Sequence, residues 1–431
     1  MNNLQKYLKK TKEVRNYRLS VYKNDSLSIG IYGQSIGGAY APISNSSKIS
    51  GDLLIEWTDG NISKTSITSA NLENPERTVL TAREVSITDE YSKTFLDNYR
   101  PKNKTLQYSK ELKKIQTENQ DFVVDQLRKI KDIEASFGVK SFETDILASI
   151  SKTQVINSKG LELADSFSSY TLQSSLESRF FFTLSSRSPL EISAYSASIE
   201  LLGKLFRASD TSVKVKQKEK IAVILSPEAA WSLLSFFVIN NLRGSLVANR
   251  LSRFSKEDFK DQKKILPPWF TLCADSQKEM TPGAANFTSE GVENEKATFI
   301  KNGQLKTPVL DLKHSQKLGL PPTSLITGPY TTSFVEKDTK VDALEKRLNE
   351  SEQAVFIPYF LGMHTQNQTT GDYSLPAPYA IYIKNGKLRG TIKVIITGNI
   401  FVDLANNVKF TKWDLFPQPG ICFNPNVIIE G

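Results

Sequence analysis

Residues 221–244, IAVILSPEAAWSLLSFFVINNLRG, constrain this chain more than any other stretch. Residues 221–225 form a short apolar run rich in branched side chains, which suits a buried strand. Ser226, Pro227 and Glu228 then form a helix-start signal. Ser226 can cap, Pro227 fits the first helical position, and Glu228 favours the positive end of the helix dipole. Residues 229–241 predict a mostly apolar helix, too short to span a bilayer, with Gly244 as its stop. A helix apolar nearly all round belongs inside a domain, between other layers.

A chain of 431 residues has room for two or three domains with real cores. The net charge is +9, but the basic clusters at 6–15, 113–131 and 214–220 are interrupted by acidic or apolar positions. No aromatic-interleaved binding motif accompanies them, so they predict solvated faces rather than a nucleic-acid stripe. Cys273 and Cys422 are the two cysteines, which fits a reducing compartment and gives no disulfide framework. The first fifteen residues have no apolar core of the secretory type. These features predict a cytoplasmic protein, in which the N-x-S/T triplets at Asn45, Asn61 and Asn103 are chance products of composition.

In order, residues 1–15 predict a basic amphipathic helix. Residues 17–32 alternate as two strands around a turn at Lys23, Asn24 and Asp25. Residues 53–57 and 62–67 predict strands joined by the Asp59-Gly60 turn, with helices near Ala70 and over 82–94. A broken helix over 105–137 ends at Gly138. Strands follow at 144–151 and 153–157, then an alternating run at 162–184 and a helix at 190–208. Periodicity fails near 209–220, which sets a boundary between domains 1–210 and 211–431. Beyond Gly244 the pattern is mostly strands, with an Asn302-Gly303 hairpin, a short helix at 311–318, a charged helix at 338–351 and a strand at 354–362.

Three places invite a chemical reading. Gly33-Gln34-Ser35-Ile36-Gly37 matches the G-x-S-x-G nucleophile pattern, but GGAYAPISNSS after it is no helix, so a Gly-rich loop is expected. A zinc site needs three or more ligands in fixed geometry, and His314 and His364 are the only histidines. Thr369-Thr370-Gly371-Asp372-Tyr373-Ser374 is the third. Gly371 permits a left-handed backbone, Asp372 and Ser374 offer polar groups on a constrained loop, and Tyr373 offers a stacking face. Its side chains can equally satisfy their own backbone through Asx and Ser turns.

Several segments together resemble the TldD/PmbA family, named as modulators of DNA gyrase. VINSKG at 155–160, the strand, Pro turn and apolar helix at 221–244, and the Glu290-Gly291, Asn302-Gly303 and Gly319 sequence carry the likeness. QTTGDYSLPAPYAIYIKNGKLRGTIKVIITGN at 368–399 is its most specific part. Asn424 stands where the family's last strand has Ser. The resemblance implies an α+β fold. An N-terminal antiparallel sheet with helices would precede a C-terminal β-rich, barrel-like domain holding the central helix.

One branch of that family carries the zinc-peptidase motif HExxxH on this helix. The resemblance places Ser235, Phe236 and Asn240 at the His, Glu and His positions. It therefore implies the PmbA/TldE-like branch: a non-catalytic subunit that binds no metal, completes a dimer chamber, and partners a TldD-like zinc subunit acting on peptides and unfolded chains. Thr370, Gly371, Asp372, Tyr373 and Ser374 would then be a substrate- or partner-contact loop. The alternative is a homodimeric peptide-binding or scaffold protein without a peptidase partner. No cofactor is expected in this chain, and neither nucleic acid nor a membrane is an expected partner.

Overall fold

The computed structural model describes residues 1–102, 104–215, 221–406 and 408–429. Asn103 and most of the charged lead-in at 214–220 lie outside the described residues. Seven strands build the first sheet: β1 Val14–Gly33, β2 Ser35–Ile36, β3 Ser44–Trp57, β4 Ile62–Thr68, β5 Phe142–Asn157, β6 Glu162–Leu176 and β7 Phe180–Ser186. Its order is β4-β3-β1-β5-β6-β7, with β2 on β1, and its pairs are antiparallel.

The expected turn at Lys23–Asp25 is absent, because β1 runs through it as one strand. β3 and β5 pair with it on both sides, so Lys23 faces Ile49 and Lys152, and Asp25 faces Ser47 and Ile150. The turn-forming side chains are occupied instead. Ser151 Oγ donates to Asn24 Oδ1 at 2.7 Å, and Ser47 Oγ donates to Asp25 Oδ1 at 2.7 Å. β5 likewise absorbs two predicted strands into one. The helix expected over 82–94 lies earlier, at Pro75–Glu84, and Ile87 then pairs with Ile62. The helix expected over 105–137 is two, Lys110–Thr117 and Gln120–Ser136, with Gly138 left-handed after them.

The second half adds two sheets. Their strands are β8 Ala222–Leu225, β9 Phe270–Asp275, β10 Lys296–Lys301, β11 Gln304–Leu305, β12 Thr332–Val335 and β13 Val341–Ala343. They continue with β14 Gln353–Ile357, β15 Asp372–Lys384, β16 Lys387–Asn399, β17 Lys409–Lys412, β18 Gly420–Phe423 and β19 Asn426–Ile429. A four-stranded sheet has the order β11-β10-β9-β12, and an eight-stranded one β13-β17-β18-β8-β14-β15-β16-β19. Their outer strands do not meet, so the β-rich half holds open sheets rather than a closed barrel. The charged helix expected over 338–351 shrinks to Leu344–Glu350, since 341–343 pairs in parallel with β17.

The eight-stranded sheet is covered on both faces, which explains why its central strands read as unbroken apolar runs. Ile224, Phe356, Ile381 and Ile383 pack with Leu127 and Ile130 of the Gln120–Ser136 helix, with Leu202 and Phe206 of the Ser196–Ala208 helix, and with first-sheet residues such as Ile29 and Ile146. Val223, Leu225, Val355 and Ile357 point the other way, onto Leu233, Leu234, Phe237 and Val238 of the central helix. The halves are also tied by polar groups. Arg187, buried with no ion-pair partner among the described residues, donates to the carbonyls of Ser168, Thr281 and Ala284. Arg18 meets Glu290 at 2.8 Å, and Glu290 Oε2 accepts from Leu312 N–H at 2.7 Å.

Glu134 is wholly buried beneath the first sheet and accepts from Ser174 and Thr144. Burial pushes its carboxyl up to about 7 from the usual 4.5. A raised folded-state pKa means that its protonated form favours folding. That contribution is full below about 4.5 and is lost as pH rises through about 7. Glu134→Gln is therefore expected to gain stability relative to the parent between those pH values, by an amount on the order of 1–3 kcal/mol. Urea denaturation at both ends of the window measures this.

Candidate functional site

The central helix begins as the sequence predicts. Ser226 Oγ accepts from Ala229 N–H at 3.0 Å and donates to Pro358 O at 2.7 Å, while Ser226 N–H donates to Ile357 O. The cap thus fixes the helix start to the end of β14. Glu228, in the first turn, has no side-chain partner among the described residues, and enclosure pushes its carboxyl up to about 7.

The helix does not continue regularly to Asn241. It is α-helical over Pro227–Leu234, π-helical over Ser235–Ile239 and tightens into a 3₁₀ turn over Asn240–Leu242. Asn240 N–H donates to Ser235 O, an i→i+5 bond. In a regular α-helix, residues five apart lie about 140° apart around the axis. The wider π turn brings Ser235 and Asn240 toward one face. Asn241 supplies a local reason: its Nδ2 donates to Phe237 O at 2.9 Å and so competes for the carbonyl that its own N–H would take in an α-helix.

Gly244 is not the stop. Arg243 is already extended, and Gly244 starts a short helix, Gly244–Ala248. A Cβ at Gly244 would lie 2.5 Å from Leu310 and 2.8 Å from Val309 O, so close packing rather than a turn requires glycine here.

Ser235, Phe236 and Asn240 are half-buried. Ser235 Oγ is enclosed with no hydrogen-bond partner among the described residues. The Phe236 ring stands 4.9 Å from Phe237, which in turn stands 6.3 Å from Tyr373. The helix thus meets the 370–374 loop through aromatic rings.

That loop is tightly bonded. Gly371 has φ +79°, and its carbonyl accepts from Ile400 N–H at 2.9 Å. Thr370 Oγ1 accepts from Asp372 N–H, and Ser374 N–H donates to Gln366 Oε1. Asp372 is exposed and opens β15. The Asn399 amide donates to it at 2.8 Å, and this bond leads the effects that hold its carboxyl below the usual range. Tyr373 is buried and donates to Asp403 Oδ2 at 2.6 Å. Burial, then the Asp403 carboxylate, pushes the phenol well above its ordinary value, while burial raises Asp403.

Several residues that hold this arrangement carried no signal of their own. Asn241 is fully buried; it donates to Gln368 O at 2.8 Å and accepts from Arg253 N–H at 2.7 Å. Arg253 donates to Thr369 O and Thr370 O, and its guanidinium lies 4.3 Å over Phe401. Asn399 is the last residue of the 368–399 segment that carries the family resemblance, and Asp403 lies four residues beyond it, where no signal stood in the sequence.

The other candidates sit apart. Gly33–Gly37 is a tight hairpin, with Tyr32 paired to Ser35, and no helix follows. His314 Nδ1 lies 2.7 Å from Asp311 Oδ1, the cap of the Leu312–Leu318 helix, and His364 lies on a single turn at Met363–Thr365. Among the described residues, no group of three His, Cys, Asp or Glu side chains is placed to hold a metal ion. A hydroxyl, a phenyl ring and a carboxamide on the central helix do not fit a zinc site.

Residues 218–431 match the sequence model of the PmbA/TldA metallopeptidase C-terminal domain. The chain belongs to the TldD/PmbA family. It is 28% identical over 205 residues to Metalloprotease PmbA of Escherichia coli O157:H7, covering 47% of this chain and 43% of that one. It is 25% identical over 237 residues to an uncharacterised protein of Methanocaldococcus jannaschii, covering 52% and 54%. The chain therefore spans about half the length of the curated relatives it matches.

The fold is that of TldE from Thermococcus kodakarensis, with a TM-score of 0.81 at 18% identity over all of both chains. A putative modulator of DNA gyrase from Bacteroides thetaiotaomicron gives 0.77 at 19% identity, over 100% of this chain and 98% of that one. No helix among the described residues of this TldD/PmbA family member is long and apolar enough to cross a membrane.

A Cβ at position 371 would meet the Phe401 ring at 2.6 Å, on a backbone that side chains resist. Gly371→Ala is expected to destabilise the protein by about 1–3 kcal/mol. Thr370→Ala, which removes two long, exposed hydroxyl bonds, to Asn367 O and from Asp372 N–H, should cost less than about 1 kcal/mol. Denaturant midpoints of the two variants make the comparison.

Proposed function

We propose that this chain is the non-catalytic, PmbA/TldE-like subunit of a TldD/TldE-type metallopeptidase acting on peptides and unfolded chains. The observation that carries the reading is the π turn of the central helix. It brings Ser235 and Asn240 toward one face, at the spacing of the family's HExxxH motif, with side chains that offer neither imidazole nor carboxylate. Phe236 sets an apolar ring where that motif has its general base.

In this reading the helix keeps the family's shape and has lost its chemistry. The half-buried face and the 370–374 loop beside it contact the zinc-bearing partner or its substrate. Zinc and the hydrolytic step belong to the partner, and this chain completes the chamber wall.

The isolated chain is expected to bind less than stoichiometric zinc after equilibration and to leave an unfolded reporter chain uncut. Elemental analysis and a fluorogenic peptide assay check this. One zinc per chain, with peptide cleavage that a chelator abolishes, would overturn the proposal.

A further inference from the structure

The face of the first sheet that carries its core is covered at both ends and open between them. Tyr17, Leu19 and Val21 of β1 pack with Leu4 and Leu8 of the Asn2–Lys10 helix. Leu27, Ile29 and Ile31 pack with Leu112 and Leu127 of the helices at Lys110–Thr117 and Gln120–Ser136. Lys23 and Asp25 are the positions of the same face between these groups, since side chains alternate along an unbroken strand. A trough of about 820 Å³ opens there, floored by Val21, Lys23, Lys152 and Ala164 and walled by Lys104, Leu106 and Tyr108. We propose that it binds an extended acidic peptide segment.

Charge selects the ligand. Lys23 and Lys152 stand directly opposite each other on β1 and β5, both interior strands of the sheet. Like charges so opposed destabilise a sheet, and an anion between them removes the repulsion. Lys23 lies 3.3 Å from Asp25, whereas Lys104, Lys113 and Lys152 have no ion-pair partner among the described residues. The Ser47 hydroxyl, then Lys23 and Lys113, hold the Asp25 carboxyl below its usual range, which places Lys113 at the same end of the trough. Asp165, the other carboxylate here, already accepts from Asn286. Four lysines thus stand against two carboxylates that are both engaged. A charged break in a core-facing strand is the kind of local inconsistency that functional sites carry.

The ammonium groups are strung out rather than gathered. Lys104 Nζ reaches Ala164 O on β6 at 3.5 Å, so the row runs from β1 through β5 to β6, about 10 Å across neighbouring strands. A lone phosphate is met by converging donors, often arginine forks. A single-stranded nucleic acid needs aromatic platforms for its bases, and Tyr108 is the one aromatic lining the trough among the described residues. Carboxylates at alternate residues of an extended peptide recur about every 7 Å on one side, which fits a row of separate lysines. Val21, Leu106 and Ala164 offer apolar contact between them.

The trough needs no partner subunit, so binding by the isolated full chain stands or falls separately from the role proposed above. Fluorescence anisotropy with a labelled peptide of alternating glutamate and valine, at about 50 mM salt, tests it. Saturable binding is expected, weakened about tenfold or more when glutamine replaces glutamate. Lys23→Gln and Lys152→Gln, both at exposed positions, should each weaken it about fivefold. Lys301→Gln, an exposed change on β10, should leave it unaltered. Absence of saturable binding at millimolar peptide would overturn the proposal. So would equal affinity for the glutamine peptide, unchanged affinity in both trough variants, or an equal loss in Lys301→Gln. Displacement of the peptide by inorganic phosphate or oligothymidylate at lower concentration than by unlabelled peptide would overturn it too.

Discussion

The bond from Asn240 N–H to Ser235 O is the constraint on which the site depends. It widens one turn of a helix that is otherwise clamped. Ser226 holds the start to β14, Asn241 holds the end to the 252–253 and 368 segments, and Phe237 presses on Tyr373 between them. A π turn gives up hydrogen-bond geometry. Here the surrounding packing over-determines it, because both ends of the helix are fixed and its length must fit the span.

The rest of the fold serves that clamp. The eight-stranded sheet lies between the central helix and the helices it shares with the first half, so its core strands are apolar on both faces. Arg187 and the Arg18–Glu290 pair then fix the first sheet against the loops that lead to the Leu312–Leu318 helix. Such buried polar contacts are expensive to break once formed, which suits a rigid wall better than a hinge.

Local signals were legible in the sequence wherever one residue decides the conformation. The Ser226-Pro227 start, the short helix after residue 311, left-handed Gly319 and the Asn302-Gly303 hairpin all stand where residue type placed them. Signals failed where tertiary pairing outvoted propensity. β1 runs straight through a Lys-Asn-Asp turn because both neighbours supply ladders. The π turn was invisible, since nothing in SFFVINN distinguishes it from an α-helix until the Asn241 side chain finds Phe237 O. At the candidate site, the left-handed Gly371 was legible, but Asp372–Ser374 open β15 instead of lying on a loop, and Tyr373 is buried against Phe237 and Asp403 rather than offering a free stacking face. The supporting residues Asn241, Arg253 and Asp403 were not legible, because each acts across more than ten residues.

The claim that most needs testing is that this helix has kept its place in a peptidase while losing its ligands. Native mass spectrometry of the protein isolated from its own cells at native level tests that claim most directly. The account predicts a complex with a second chain of the same family, in which zinc travels with the other subunit. A metal-free homodimer, with no second family member at any stoichiometry, would contradict it.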